Sequence, residues 1–268
     1  AERYLSLGGE LRRGARVYRI LTDNDAVTGV QLESVEEIAA DHVISDVYGY
    51  DTFIKLLDDR YLTDQLRSIY SKPIDRMMMA IHVSLGIDKD LQDMPNSMAF
   101  FPDKPIEIAG EKHEMLSILN YGYDPAMAPE GKTSLKVIYD TSYSYWEELF
   151  EDEQSYEKEK RQIAENTIQA LERVFPSLET AIEVIDVATP ITTKRFTANG
   201  QGYGSKEDFS LKDILRGFLN RPLRLKSLKN FYVIGHSVGG ANLYGCAAMG
   251  RNAIKSLCKK EKKKFIAS

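Results

Sequence analysis

The stretch "DRMMMAIHVSL" at 75–85 alternates, with Met77, Met79, Ile81, Val83 and Leu85 on one face and Met78, Ala80, His82 and Ser84 on the other. A period of two predicts a strand with one buried face. Just before it, "DTFIKLLDDRYLTDQLRSIY" (51–70) places apolar residues at 53, 54, 56, 57, 61, 62, 66 and 69, which predicts an amphipathic helix. Short apolar runs bounded by Pro, Gly and Asp follow in "NSMAFFPD", "HEMLSILNYG" and "TSLKVIYDT", so an antiparallel sheet is expected across 75–141. Next comes a long polar helix, about Tyr143 to Val174, with Trp146, Leu149, Phe150, Ile163, Ile168 and Leu171 turned inward and Pro176 ending it. "SLETAIEVIDVATPITTKRFT" (177–197) reads as extended chain.

The two ends have a different grammar. After the Gly8-Gly9 turn, a strand around Val17 to Leu21, a turn at "DND", a strand "VTGVQLE" and a third, "HVISD", predict a β-meander. At the other end, "NFYVIG" reads as a strand, followed by a glycine turn and a helix from about Leu243 to Lys260. Such a unit belongs to an α/β layer rather than to the antiparallel middle. The expected fold class is therefore mixed, α/β and α+β. Residues 1–50 and 228–268 would form one discontinuous domain, with 51–227 inserted between them.

The net charge is −5, with 35 Lys and Arg against 40 Asp and Glu, which argues against a general nucleic-acid binder. Only "KKEKKK" (259–264) is strongly basic. Lysines there suit a helix C-terminus facing solvent; an anionic partner or peripheral membrane contact is the alternative. No apolar stretch approaches the roughly 18 to 20 residues of a membrane-spanning helix, and "AERYLSLGGE" lacks a signal-peptide layout. Cys246 and Cys258 sit too far apart along one helix to pair, so a reducing compartment is expected: cytoplasmic, or at a membrane periphery. His42, His82, His113 and His236 are scattered without ligand spacing, and no metal is expected.

One motif raises a question of chemistry. "GHSVG" around Ser237 has the G-x-S-x-G form of a hydrolase nucleophile turn. Only 31 residues follow Ser237, and they hold no histidine or aspartate, which weighs against a serine hydrolase. Alternatively, the glycines let backbone approach a phosphate or ring at a helix N-terminus. Gly245 and Gly250 lie inside the helix, where glycine costs about 1 kcal/mol relative to alanine, and so point to close packing. A tight turn with ordinary helix–sheet contact is the plainer reading.

"FYVIGHSVGGANLYGCAAMGRNAIKSLCKK" (231–260) resembles the C-terminal flavin-contacting segment of the phytoene desaturase-like FAD-dependent oxidoreductases, relatives of the retinol saturases and amine oxidases. "IDVATPITTKRFTANGQGYGS" (185–205) is similar to that family's Asp-x-x-Thr-Pro-x-Thr segment. The "GGELRRGARVYRILTDNDAVTGVQLESVEEIAADHVISD" stretch resembles its Gly-Gly-Glu, Gly-Val and Ala-Asp-x-Val-Ile-Ser series. The resemblance implies a partial Rossmann-like FAD-binding domain without its G-x-G-x-x-G unit, plus an antiparallel-sheet substrate domain. The nearest string, "GQGYGS" at 200–205, reads as a loop. A C-terminal fragment is thus expected, inactive alone, with FAD held only by the whole protein.

Residue roles follow from the same resemblance. The backbone of Val17 would meet the adenine, and Gly235 and His236 would lie near the ribityl and phosphate groups. Gly239, Gly240 and Ala241 stand for the family's glycine-rich turn, here shorter and without its prolines. Asn242 and Leu243 would open the helix facing the isoalloxazine. Histidine at 236 departs from the family's acid or amide, and no catalytic side chain is assigned. In the middle domain, Met77, Met78, Met79, Met94 and Met98 with Phe100, Phe101 and "SYSYW" (142–146) either line a tunnel for a long apolar ligand or form core. The implied activity is hydride transfer between FAD and a hydrophobic, polyene- or isoprenoid-like small molecule. A non-catalytic binding module that has lost flavin is the alternative from a different class.

Overall fold

The computed structural model describes residues 1–64, 66–67, 79–197, 222–238 and 243–266. The chain divides into two compact units, Ala1–Lys72 with Phe209–Ser268, and Pro73–Asp208.

The discontinuous unit begins with the short helix α1 (Glu2–Ser6) and the hairpin of β1 (Val17–Asp23) and β2 (Ala26–Leu32). Asn24 and Asp25 make its turn at φ +46° and +56°, the two positive values that a two-residue hairpin compatible with strand twist requires. A short strand that the hydrophobic pattern did not reveal, β3 (Glu37–Ala39), completes the meander on β2. The expected third strand exists as β4 (Val43–Ser45), but it lies outside the meander and pairs in parallel with the distant Phe231–Val233. Residues 51–70 do not form one continuous helix. Asp51–Leu56 makes a π-helical turn, and positive φ at Asp58 and Asp59 ends it. Its apolar positions are nonetheless inward: Phe53, Leu56, Leu57 and Leu66 join Ile20, Val27, Phe231 and Val233 in one core. Residues 51–64 thus pack with the chain's ends.

The middle unit is built on a five-stranded antiparallel sheet of order β11-β5-β10-β9-β6. Its members are β5 (Met79–Ile87), β6 (Ser97–Phe100), β9 (Leu116–Asn120), β10 (Thr133–Thr141) and β11 (Ile182–Ala188), with β7 (Ile106–Ile108) and β8 (Glu111–His113) forming a separate hairpin. Alternation along β5 buries Met79, Ile81, Val83, Leu85 and Ile87, and β10 buries Leu135, Val137 and Tyr139 in the same way. Met77 and Met78 lie outside the described residues. The expected long helix is two: α2 (Tyr143–Leu149) and α3 (Glu153–Leu171). Asp152 explains the break, because its carboxylate caps α3 by accepting from the Gln154 and Ser155 amides at 3.2 and 3.3 Å. Phe150, in the break, is 52% exposed instead of inward. Ile163, Ile168 and Leu171 of α3 share the sheet's core with Trp146.

The segment read as extended is so only to Ala188; Pro190–Thr197 is helix α4, with proline at the first helical position, where its missing N–H costs nothing. Of the tunnel-or-core residues, Met79, Tyr143 and Trp146 are buried, and Met94, Met98, Phe100 and Tyr145 pack against the core. Phe101 is exposed. The chain then reaches β12 (Phe231–Val233) and α5 (Leu243–Lys260), at the positions the sequence predicts.

Candidate functional site

The candidate site grows from the pairing of β4 with β12. Ile234 donates its amide to the Ser45 carbonyl at 2.9 Å, and Val43 donates to Asn230 at 3.1 Å, so the two strands end side by side. The meander is stitched to the opposite, amino-terminal end of Phe231–Val233: Val27 donates to the Lys229 carbonyl at 3.2 Å, and Lys229 to that of Asp25 at 2.8 Å. Beyond the carboxyl ends of parallel strands, loops can converge on a ligand.

Gly235 occupies this place after β12. It is buried, with φ +94°, and a Cβ there would lie 2.1 Å from Asp46 Oδ1. The backbone conformation favours glycine, and a Cβ would in addition have to displace the Asp46 carboxylate. Asp46, the residue directly after β4, was not singled out in the sequence, although the acid closing "HVISD" is the signal that marks it. Protein crowding raises its carboxyl pKa above the ordinary value, although part of the side chain stays exposed. Cys246, in the first turns of α5, has its thiol pushed up by burial and then by the Asp46 charge, which makes it a poor nucleophile.

The loop following Asp46 is pinned from inside. Ser45 Oγ and Thr52 Oγ1 share a buried hydrogen bond of 2.9 Å, and Thr52 Oγ1 donates to the Val47 carbonyl at 3.1 Å. Tyr48 is pushed up to about 12 by burial and then by Asp51, so it stays a neutral phenol.

The residues expected to meet the cofactor fall as follows. Val17 lies on β1 opposite Leu32 and packs against the core that contains Val233. His236 begins a 3₁₀ turn; its ring is exposed, yet partial desolvation holds its pKa below the ordinary imidazole value. Leu243, the first residue of α5, is 88% exposed. Gly239, Gly240, Ala241 and Asn242, like the loop at 200–205 and the Ser237 side chain, lie outside the described residues. Gly245 is buried, but a Cβ on Gly250 would sit 3.8 Å from Ile234 Cδ1, ordinary contact rather than the tight packing expected there. Among the described residues, no group of three or more His, Cys, Asp and Glu could hold a metal, and no helix is long and apolar enough to cross a membrane.

Two glycines of this one unit should thus respond oppositely to alanine. Gly235→Ala is expected to destabilise the discontinuous unit by about 1–3 kcal/mol. Gly250→Ala should stabilise it by up to about 1 kcal/mol. Urea unfolding of the two variants measures the contrast, and equal midpoints would remove the special role of residue 235.

No family model matches the chain. Among curated proteins it is 27% identical over 234 residues to a chloroplastic prolycopene isomerase of Daucus carota, covering 86% of this chain and 37% of that one. It is 24% identical over 281 residues to an all-trans-retinol 13,14-reductase of Rattus norvegicus, covering 94% and 45%. The chain thus spans about two fifths of the length of these relatives. Among solved structures, an oxidoreductase from Methanosarcina mazei shares the fold with TM-score 0.57 at 15% identity, over 95% of this chain and 52% of that one. A putrescine oxidase triple mutant does so with TM-score 0.59 at 13% identity, over 96% and 51%. The chain is thus similar in sequence to a prolycopene isomerase and a retinol reductase, and it shares a fold with two solved oxidoreductases. This similarity agrees with the resemblance to phytoene desaturase- and retinol saturase-like proteins that the motifs at its two ends carry.

Proposed function

We propose that the chain is part of a flavin-dependent oxidoreductase that transfers hydride between FAD and a hydrophobic polyene- or isoprenoid-like substrate. The unit of Ala1–Lys72 and Phe209–Ser268 would supply the C-terminal share of the FAD-binding domain, which takes in 51–64 because they pack with the chain's ends, and Pro73–Asp208 would supply the substrate-binding domain. The observation that carries the reading is the Gly235 turn: a glycine at φ +94°, with the Asp46 carboxylate against its Cα, at the paired ends of two parallel strands and shortly before the helix that carries the motif. Such a turn fits a cofactor that needs main-chain amides at close range.

In this reading Gly235 and His236 meet the ribityl and phosphate region, and Val17 the adenine. Gly239, Gly240 and Ala241 would stand for the family's glycine-rich turn, and Asn242 and Leu243 would open the helix that faces the isoalloxazine. Bound FAD supplies the hydride acceptor or donor. The chain's own residues would bind and orient it, and Cys246, kept as a thiol, adds no competing charge. His236 can donate a hydrogen bond where the family carries an acid or amide. The relatives' printed names, an isomerase of prolycopene and a reductase of retinol, support a polyene as substrate.

The test is the visible spectrum of the full-length parent protein. It should purify yellow, or turn yellow on addition of FAD, and Ser237→Ala should leave that absorbance unchanged. A folded protein that stays colourless with added FAD would favour the non-catalytic module, which the histidine at 236 motivates. Esterase activity abolished by Ser237→Ala would restore the hydrolase.

A further inference from the structure

The basic end of α5 is unused by the flavin reading. Between 251 and 264 the sequence carries seven cations, Arg251, Lys255, Lys259, Lys260, Lys262, Lys263 and Lys264, against one acid, Glu261. In a chain of net charge −5 this is a strong local reversal of sign. The structure shows how the reversal is preserved. Glu261 Oε1 lies 3.2 Å from His42 Nε2, and both line a cleft of about 390 Å³ with Asp41, Asn230, Cys258 and Lys263. Lys260 is spent on the neutral amide of Asn230. Among the described residues, none of these six lysines pairs with a carboxylate. Lys229, exposed and adjacent to Asn230, extends the same surface.

Apolar groups are set into this charge. At Lys262 the chain takes φ +54° and Lys263 donates its amide to the Cys258 carbonyl at 2.8 Å, which turns the chain back along the helix. Phe265 then lies under the Arg251 guanidinium, 5.3 Å from ring centroid to Cζ. One helical turn from Arg251, Ile254 is 41% exposed, and Ile266, next to Phe265, is 77% exposed. Two uncovered isoleucines thus stand among the lysines of this surface.

We propose that this surface, the C-terminal half of α5 with the returning 262–266 segment, docks on an anionic lipid bilayer. Lysines at the headgroup level gain about 1 kcal/mol each from the negative surface potential, while Ile254 and Ile266 gain by entering the acyl boundary. A nucleic acid or an acidic peptide would satisfy the charge but offers no apolar phase to the isoleucines. The cleft beside this surface is itself lined by two acids, Asp41 and Glu261, next to Lys263. The inference stands on charge and exposure in this unit and does not require bound flavin.

Vesicle flotation of the full chain tests it. The chain should float with phosphatidylcholine vesicles containing phosphatidylserine, should remain in solution with phosphatidylcholine alone, and should be released at high salt. Each Lys→Gln change at 259, 262, 263 or 264 should weaken partition about fivefold. Ile266→Asp should weaken it further without altering the melting temperature, and because residue 266 is solvent-exposed this variant keeps the fold. Absence of binding to the acidic vesicles overturns the proposal. So does binding that Ile266→Asp leaves unchanged and that heparin or duplex DNA reproduces at equal affinity, since the surface would then be a plain polyanion site.

Discussion

Trp146→Ala is expected to destabilise the middle unit by about 3–5 kcal/mol, measurable as a loss of unfolding midpoint in urea with the slope unchanged. The indole is fully buried on α2, edge-on to Tyr145 and Tyr156 with centroids 5.5 and 5.8 Å away. Its Nε1–H donates to Thr141 Oγ1 at 3.0 Å, tying the helix to the end of β10. Removing it opens a cavity under two aromatic rings and loosens a row of hydroxyl pairs, Tyr156 Oη–Thr189 Oγ1 at 2.8 Å and Tyr139 Oη–Thr167 Oγ1 at 2.9 Å. Trp146→Phe keeps most of the packing and should cost far less, about 1–2 kcal/mol for the lost hydrogen bond and residual volume. Equal losses in the two variants would mean that the hydrogen bond, not the volume, fixes α2.

In the discontinuous unit the largest effect is expected at Gly29, where alanine should cost about 3 kcal/mol. Gly29 lies on β2 between Leu21 of β1 and Ala39 of β3, at φ +156°, and a Cβ would fall 2.1 Å from the Ile38 carbonyl oxygen. Unlike the Asp46 side chain near Gly235, this neighbour is backbone and cannot swing aside, so β3 would have to leave the meander. Amide exchange at Ala39 and Val30 reads that detachment; unchanged protection there in Gly29→Ala would refute it. The flavin reading adds a second consequence. A meander stitched to the Lys229 end of β12 cannot shift without moving the strand that presents Gly235.

What the sequence revealed and what it hid divide along one physical line. The alternation of β5 was legible because each buried residue repeats the same message, and α5 because apolar period, flanking glycines and terminal lysines agree. The Gly235 turn was legible through its motif. β3 was hidden, since three residues carry no period and only register against Gly29 makes them a strand. The true partner of β4 was hidden because the pairing is non-local. The break after Leu149 and the start of α4 were readable in principle: Asp152 precedes a helix-forming run, and Thr189 stands before Pro190 and exchanges hydrogen bonds with Thr192. The long amphipathic pattern outweighed those local stop and start signals. Asp46 was missed because its role arises only when two parallel strand ends meet.

That meeting has a bearing on how the polypeptide acquires its shape. Val43 must find Phe231 across the entire middle of the chain, whereas Pro73–Asp208 is contiguous and its strands mostly join near neighbours. Closing so long a loop carries a large entropic penalty until its interior has condensed, after which the ends to be joined are held nearer together. During synthesis, therefore, the inserted body matures first. The seam between Val43–Ser45 and Phe231–Val233 is sealed only once the latter has emerged, and loss of that strand leaves Val43–Ser45 as an exposed strand edge, prone to self-association.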